Sequence, residues 1–185
     1  MTNTVNASSF TDIETVRLHA KGGSMKMIRR LTVALLAAGA TVALAADPHP
    51  VVSYSKKAKF EDVRDDLKMA IEGKGLVIDY QSYVNRMLER TGKDVGSTRK
   101  LYADAQSFVF CSAALSRKTM EADPANMAQC PYSISVYATA AEPGKVFVSY
   151  RRPWRPDGSA TSRAALKEVE AMLDAIAREA LGLRK

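Results

Sequence analysis

Two cysteines, Cys111 and Cys130, are the only thiols in the chain and the residues best suited to chemistry. Both lie in the stretch 106–137, QSFVFCSAALSRKTMEADPANMAQCPYSISVY. A thiol pair in an oxidising compartment tends to become a disulfide. Closing the loop between these two positions would be worth roughly 3 kcal/mol before any strain. Reduced, the same pair can carry redox or sulfur-transfer chemistry. A third reading is two inert, separately buried thiols, because free cysteine packs well in cores. No Cys-x-x-Cys spacing is present to depress a thiol pKa. Arg117 and Lys118 can do so only if their helix turns them toward Cys111.

The histidine count removes several other chemistries. His19 and His49 are the only two, and the first falls in a segment read below as outside the mature protein. A Ser-His-Asp triad, a Cys-His pair within the domain and a multi-histidine metal centre all lack their residues. An amino-terminal copper site at His49 would need a deprotonated amide from Pro48, which has none. No paired carboxylates, glycine-rich phosphate loop or zinc spacing stands out, and the sequence names no cofactor and no metal. A second cluster, Arg151-Arg152-Pro153-Trp154-Arg155-Pro156, sets three arginines around the only tryptophan. Such a segment can offer cation–π and bidentate contacts to an anionic ligand or partner. The plainer reading has Trp154 capping the core edge and the arginines solvated.

The elements that must position these groups follow from periodicity. Residues 51–54 form a first strand. Phe60, Val63, Leu67 and Ala70/Ile71 recur at helical spacing, with Glu61, Asp62 and Asp65 near the positive end of the helix dipole and Gly73 and Gly75 as the stop. The segment 76–84 alternates as a strand, with Leu76, Ile78 and Tyr80 on one side. The segment 85–105 is mixed, a helical turn at Met87-Leu88 in an otherwise exposed excursion. Phe108-Val109-Phe110 is a strand running into Cys111, and a helix over 114–122 stops at Asp123-Pro124. Cys130-Pro131 opens the next strand, with Ile134 and Val136 facing one way and Ser133, Ser135 and Tyr137 the other. If the strands before and after this helix pair antiparallel, the cysteines meet. A turn at Glu142-Pro143-Gly144 makes a hairpin with a strand carrying Val146, Val148 and Tyr150. The last helix, 161–181, is capped by Ser159, Thr161 or Ser162 and has Leu166, Val169, Leu173, Ile176 and Leu181 on its apolar side.

The beginning of the chain reads differently. Lys26, Arg29 and Arg30 precede the apolar run 31–44, and Ala43-Leu44-Ala45 is a small-x-small cleavage site, the layout of a secretory signal peptide over 25–45. The natural start is then expected at Met25 or Met27, with residues 1–24 a mis-assigned start. Its apolar stretch is shorter than the roughly 20 residues that span a bilayer. Cleavage leaves no stable membrane anchor and predicts a periplasmic or secreted protein. The remaining 46–185 fit a single domain. They hold 22 basic and 18 acidic residues, a net charge of +4. That charge is modest and interspersed, and it argues against a nucleic-acid surface.

Several of these residues also match a known pattern. Phe110-Cys111, then Met120-Glu121-Ala122-Asp123-Pro124, then Pro131 and Val136-Tyr137, then Val148-Ser149-Tyr150 with Pro153, resemble the bacterial and archaeal domain of unknown function 302 over 51–153. Ser112-Ala113 stands where Asn-Pro is common in that family, and Tyr132 occupies the usual second-cysteine position. The resemblance implies homodimerisation and a fold similar to the TATA-box-binding-protein-like fold, a likeness of architecture that does not transfer DNA binding. Independently, strands joined by hairpins with helices gathered on one face define an α+β class. Its order is strand–helix–strand–strand–strand–strand–helix with a short inserted helix. A one-sided helix layer also leaves a sheet face needing cover.

Two functions remain. One is a dimeric binding or interaction module in which Cys111 and Cys130 are structural. The other is a thiol-active redox or sulfur-handling protein acting on a small molecule or sulfur species. Arg117, Lys118, Arg151, Arg152, Trp154 and Arg155 are the candidate ligand or partner contacts.

Overall fold

The computed structural model describes residues 50–183. The expected signal peptide, the segment before it and His49 lie outside the described residues. The described elements are β1 (Val51–Lys57), α1 (Phe60–Glu72), β2 (Ile78–Tyr83), α2 (Val84–Thr91), β3 (Tyr102–Phe110), α3 (Ala113–Ala122), a 3-10 helix (Pro124–Gln129), β4 (Tyr132–Thr139), β5 (Lys145–Arg151) and α4 (Ala160–Ala180).

The five strands form one antiparallel sheet in the order β1-β5-β4-β3-β2. The central strand, β4, has the cleanest alternation in the chain. Its Tyr132, Ile134, Val136 and Ala138 are buried, while the residues between them are only partly covered. The buried set meets Val63, Leu67 and Ile71 of α1 and Val169, Leu173 and Ile176 of α4 in one core. Removing each large apolar side chain of this kind from water is worth about 1.5–3 kcal/mol. α1 joins the two edge strands, and α1 and α4 pack against each other and on the same side of the sheet. The α+β class, the hairpin and the apolar faces of α1 and α4 are those expected from periodicity.

Two local expectations need correction. The segment 85–105 is not mainly an irregular excursion: Val84–Thr91 is helical and β3 already begins at Tyr102. Ala105 and Gln106 pair with Tyr137 and Val136. The neighbouring strand supplies a partner that the weak local pattern Ala103-Asp104-Ala105 does not announce. The alternation in β2 also breaks. Ile78 pairs with Phe110 but Tyr80 pairs with Val109, so Asp79 is an extra residue in the ladder. This bulge turns Tyr80 to the side opposite Ile78, where it is 63% exposed.

α4 is fastened to the sheet by a polar cluster as well as by its apolar side. Asp174 accepts hydrogen bonds from Tyr54 and, at 3.3 Å, from Tyr150 through Oδ1. Its Oδ2 accepts from Arg178 at 2.7 Å, and the Arg178 guanidinium lies 4.5 Å from the Tyr54 ring centre. Burial works against charge on Asp174, but the hydrogen bonds from Tyr54 and Arg178 and the charge of Arg178 outweigh it and hold the carboxyl below its ordinary value. A depressed carboxylate stabilises the fold above its unfolded pKa and loses that contribution as pH falls through the folded one. Asp174→Asn should therefore cost roughly 1–2 kcal/mol near neutrality. The difference from wild type should begin to shrink as pH falls below the ordinary carboxyl value of 3.8 and be lost below the lower folded value. Urea unfolding at pH 7 and at pH 3 or lower checks both statements.

Candidate functional site

The antiparallel pairing of β3 with β4 brings the two thiols together. Phe110 and Tyr132 are the last paired residues of that ladder. Cys111 follows Phe110 directly, just before the capping Ser112 of α3, and Cys130 closes the 3-10 helix two residues ahead of Tyr132. Their sulfurs are 3.0 Å apart as two free, partly buried thiols in hydrogen-bond contact. The expected meeting is present, but a disulfide is not. The Cys130–Pro131 peptide bond is cis. Ser116 Oγ lies 3.6 Å from Cys130 Sγ and 3.3 Å from the Tyr132 hydroxyl, so a short polar chain leads inward from the pair.

The electrostatics favour protonated sulfur at Cys111. Burial pushes its thiol up to about 11, and the Cys130 thiol and the Asp79 carboxylate act in the same direction. Burial likewise raises the Tyr132 phenol. Arg117 and Lys118 do not activate Cys111: Arg117 pairs with Glu121 at 3.0 Å and Lys118 with Glu168 of α4 at 2.6 Å. The pair can be oxidised by exchange with another disulfide, but it is poorly set up as a standing thiolate nucleophile.

The segment carrying Cys130 is held from behind by Asn126, which is fully buried. Its amide donates to the Thr119 carbonyl and to Ser162 Oγ, each at 2.8 Å, tying the 3-10 helix to both α3 and α4. Nothing in the sequence pattern singles out this residue.

The arginine–tryptophan segment is divided among three surroundings. Arg151, at the end of β5, is exposed beside the sheet face opposite α1 and α4. Arg152 pairs with Glu170 of α4. Arg155 is clamped between Asp123 at 2.8 Å and Asp157 at 2.9 Å. Trp154 is 40% exposed and does not cap the core edge. The arginines are mostly engaged in ion pairs, contrary to the plainer expectation of a solvated run.

A further feature emerges only from strand register. Ser82, Ser107, Ser135, Ser149 and Ser53 pair in succession and form one row across all five strands, on the side away from α1 and α4. Neighbouring hydroxyls touch, Ser53 with Ser149 at 2.7 Å and Ser135 with Ser107 at 3.2 Å. Beside this row runs an aromatic one: Tyr102 meets the edge of Tyr137 at 5.6 Å, and Tyr137 stacks on Phe147 at 5.1 Å. A shallow depression of about 360 Å³ opens here, lined by Ser133, Ser135, Tyr137, Ser149 and Arg151. Alternation in β4 and β5 was visible in the sequence, but the alignment of the serines was not.

Among the described residues no three or more His, Cys, Asp or Glu side chains form a group able to hold a metal ion. No helix among them is long and apolar enough to cross a membrane.

The fold and site define an α+β domain with α1 and α4 on one side of its sheet, a dithiol at one end of its central ladder and a serine row on the other side. The chain belongs to the family described as Domain of unknown function DUF302, whose model matches residues 51–180. It is similar to a solved structure titled as an uncharacterized conserved protein of the same family from Bacillus stearothermophilus. That likeness has a TM-score of 0.60 at 12% identity over 72% of this chain and 99% of the other, and it concerns the fold alone. None of the curated proteins matches.

The raised Cys111 thiol gives a direct check. In reduced protein, Cys111 should hold roughly a hundredfold less thiolate near neutral pH than an ordinary thiol, with alkylation accelerating as pH rises toward 11. Iodoacetamide labelling across pH, with the modified site mapped by mass spectrometry, tests this. Rapid labelling of Cys111 at pH 7 would contradict it.

Proposed function

We propose that this is an exported, homodimeric binding and interaction module, in which a second copy covers the open sheet face and the cysteine pair supports the fold. The observation that carries the reading is that α1 and α4 cover one side of the sheet while the other side bears an uncharged serine row. The centre of that row is Ser135, on the middle strand of the sheet. A twofold axis passing near it would set each serine row against its copy. Two identical faces repel if charge lies in their middle. Here Lys57, Lys145 and Arg151 sit at strand ends, Lys145 with its ammonium 5.0 Å from the centre of the outer Phe147 ring, leaving the serine row between them uncharged. An apolar and neutral centre with charge at the rim is the usual anatomy of a stable interface.

Export rests on the signal-like segment 25–45, and amino-terminal sequencing of envelope protein should return Ala46 or Asp47. In an oxidising compartment the touching thiols would close to a Cys111–Cys130 disulfide and fasten the ends of β3 and β4. The second reading, a thiol-active redox or sulfur-handling protein, is favoured by one observation, the direct contact of two partly accessible sulfurs. Alkylation of unreduced, denatured envelope protein separates the two. A 111–130 cross-linked peptide supports the structural role, whereas two alkylated cysteines support the thiol-active one.

For the dimer, sedimentation should give twice the chain mass at tens of micromolar. Ser135→Arg should give a folded monomer, because it sets two cations against each other at the axis. A wild-type monomer at high micromolar concentration would refute the arrangement.

A further inference from the structure

Away from the open face, a pocket of about 380 Å³ lies between the segment after β5 and the first turns of α4. Its walls include Trp154, Pro153, Arg163, Lys167 and the Arg152–Glu170 pair. That size is at the small end for organic ligands.

Three features of the pocket are hard to explain by folding alone. Trp154 leaves 40% of its surface in solvent, yet the backbone around it is fixed. Pro153 is buried, Arg152 is paired with Glu170, and Arg155 is held by both Asp123 and Asp157. A rigidly mounted, exposed indole has little left to lose on binding a flat partner. Next, Arg163 and Lys167 stand four residues apart on α4, where like charges repel. Arg163 also stands at the end of the first turn, the positive end of the helix dipole, and that turn has no acidic residue to offset it. Finally, the one carboxylate of the pocket, Glu170, is neutralised by Arg152. Arg163 donates one bond to the Gly158 carbonyl, and Lys167 makes no ion pair among the described residues. Positive charge is therefore left over beside an exposed aromatic surface. Places where a sequence breaks local rules without a structural return are where function is expected.

We propose that this pocket binds a small planar aromatic anion, an aromatic carboxylate by class. The ring packs on the Trp154 indole while the carboxylate is held by the guanidinium of Arg163 and the ammonium of Lys167. The Ser159-capped amino terminus of α4 adds favourable potential. The site uses neither the thiols nor the open sheet face and stands apart from the dimer.

The chain has a single tryptophan, so its ¹⁵N-labelled spectrum contains one indole N–H signal, which reports on this pocket directly. Titration with 2-naphthoate should shift that signal saturably. Naphthalene-2-methanol, which keeps the ring without the charge, and sulfate, which keeps charge without the ring, should each bind at least about tenfold more weakly. The Arg163→Gln/Lys167→Gln variant should lose about tenfold in naphthoate affinity. Its remaining amide signals should stay in place, which shows that the fold is kept. A shift that never saturates, equal binding of the neutral alcohol, or unchanged affinity in the folded double variant would each overturn the proposal.

Discussion

The antiparallel register of β3, β4 and β5 is the constraint on which the other features depend. Side chains alternate along a strand, so a slip of one residue at β4 would carry Tyr132, Ile134, Val136 and Ala138 from the core to the opposite face. The packing of these residues against α1 and α4 makes that slip costly. Once the register is set, three things follow without further adjustment. The ends of the β3–β4 ladder bring Cys111 and Cys130 into contact, Ser107, Ser135 and Ser149 align, and Tyr137 stacks on Phe147.

This arrangement gives each side of the sheet a separate character. The helix side is apolar and closed, with the Asp174 cluster fastening α4 to Tyr54 of the edge strand β1 and to Tyr150 of β5. The other side presents small hydroxyls and a short aromatic row in place of bulky apolar groups. Such a surface tolerates water when alone and lets a second flat sheet approach closely. The thiols sit at the end of the ladder, where burial raises the Cys111 pKa and the nearby cations of α3 turn to Glu121 and Glu168. The geometry thus suits a fastening between strand ends better than a nucleophile.

The legible part of the fold was the part governed by short-range periodicity. Phe60 to Ile71, Leu166 to Ile176 and the alternation from Tyr132 onward each carry their own pattern, and each element formed where that pattern lies. The contact of the cysteines was legible as a conditional, since it needed only antiparallel pairing of two recognisable strands. What stayed hidden depends on partners distant in sequence. The first half of β3 gains its strand conformation from β4. The bulge at Asp79 reverses Tyr80, and Arg152 and Arg155 find Glu170 and Asp123 only after the chain has folded. Of the serines only Ser133 and Ser135 had a readable face in the sequence, and the common row exists only in the assembled register. Asn126 is likewise silent in the sequence, because its role is to join α3 and α4 through one buried amide.

The most direct measurement concerns the middle of the open face. In a background lacking both native cysteines, through Cys111→Ser and Cys130→Ser, a Ser135→Cys variant carries one thiol at the centre of the sheet. A twofold dimer through this face sets that thiol beside its own copy. Mild oxidation should then give a covalently linked pair in high yield, while a control thiol at the exposed position of Met69 on α1 should not. Failure of Ser135→Cys to cross-link at concentrations where the protein sediments as a dimer would contradict the central claim and assign the interface elsewhere.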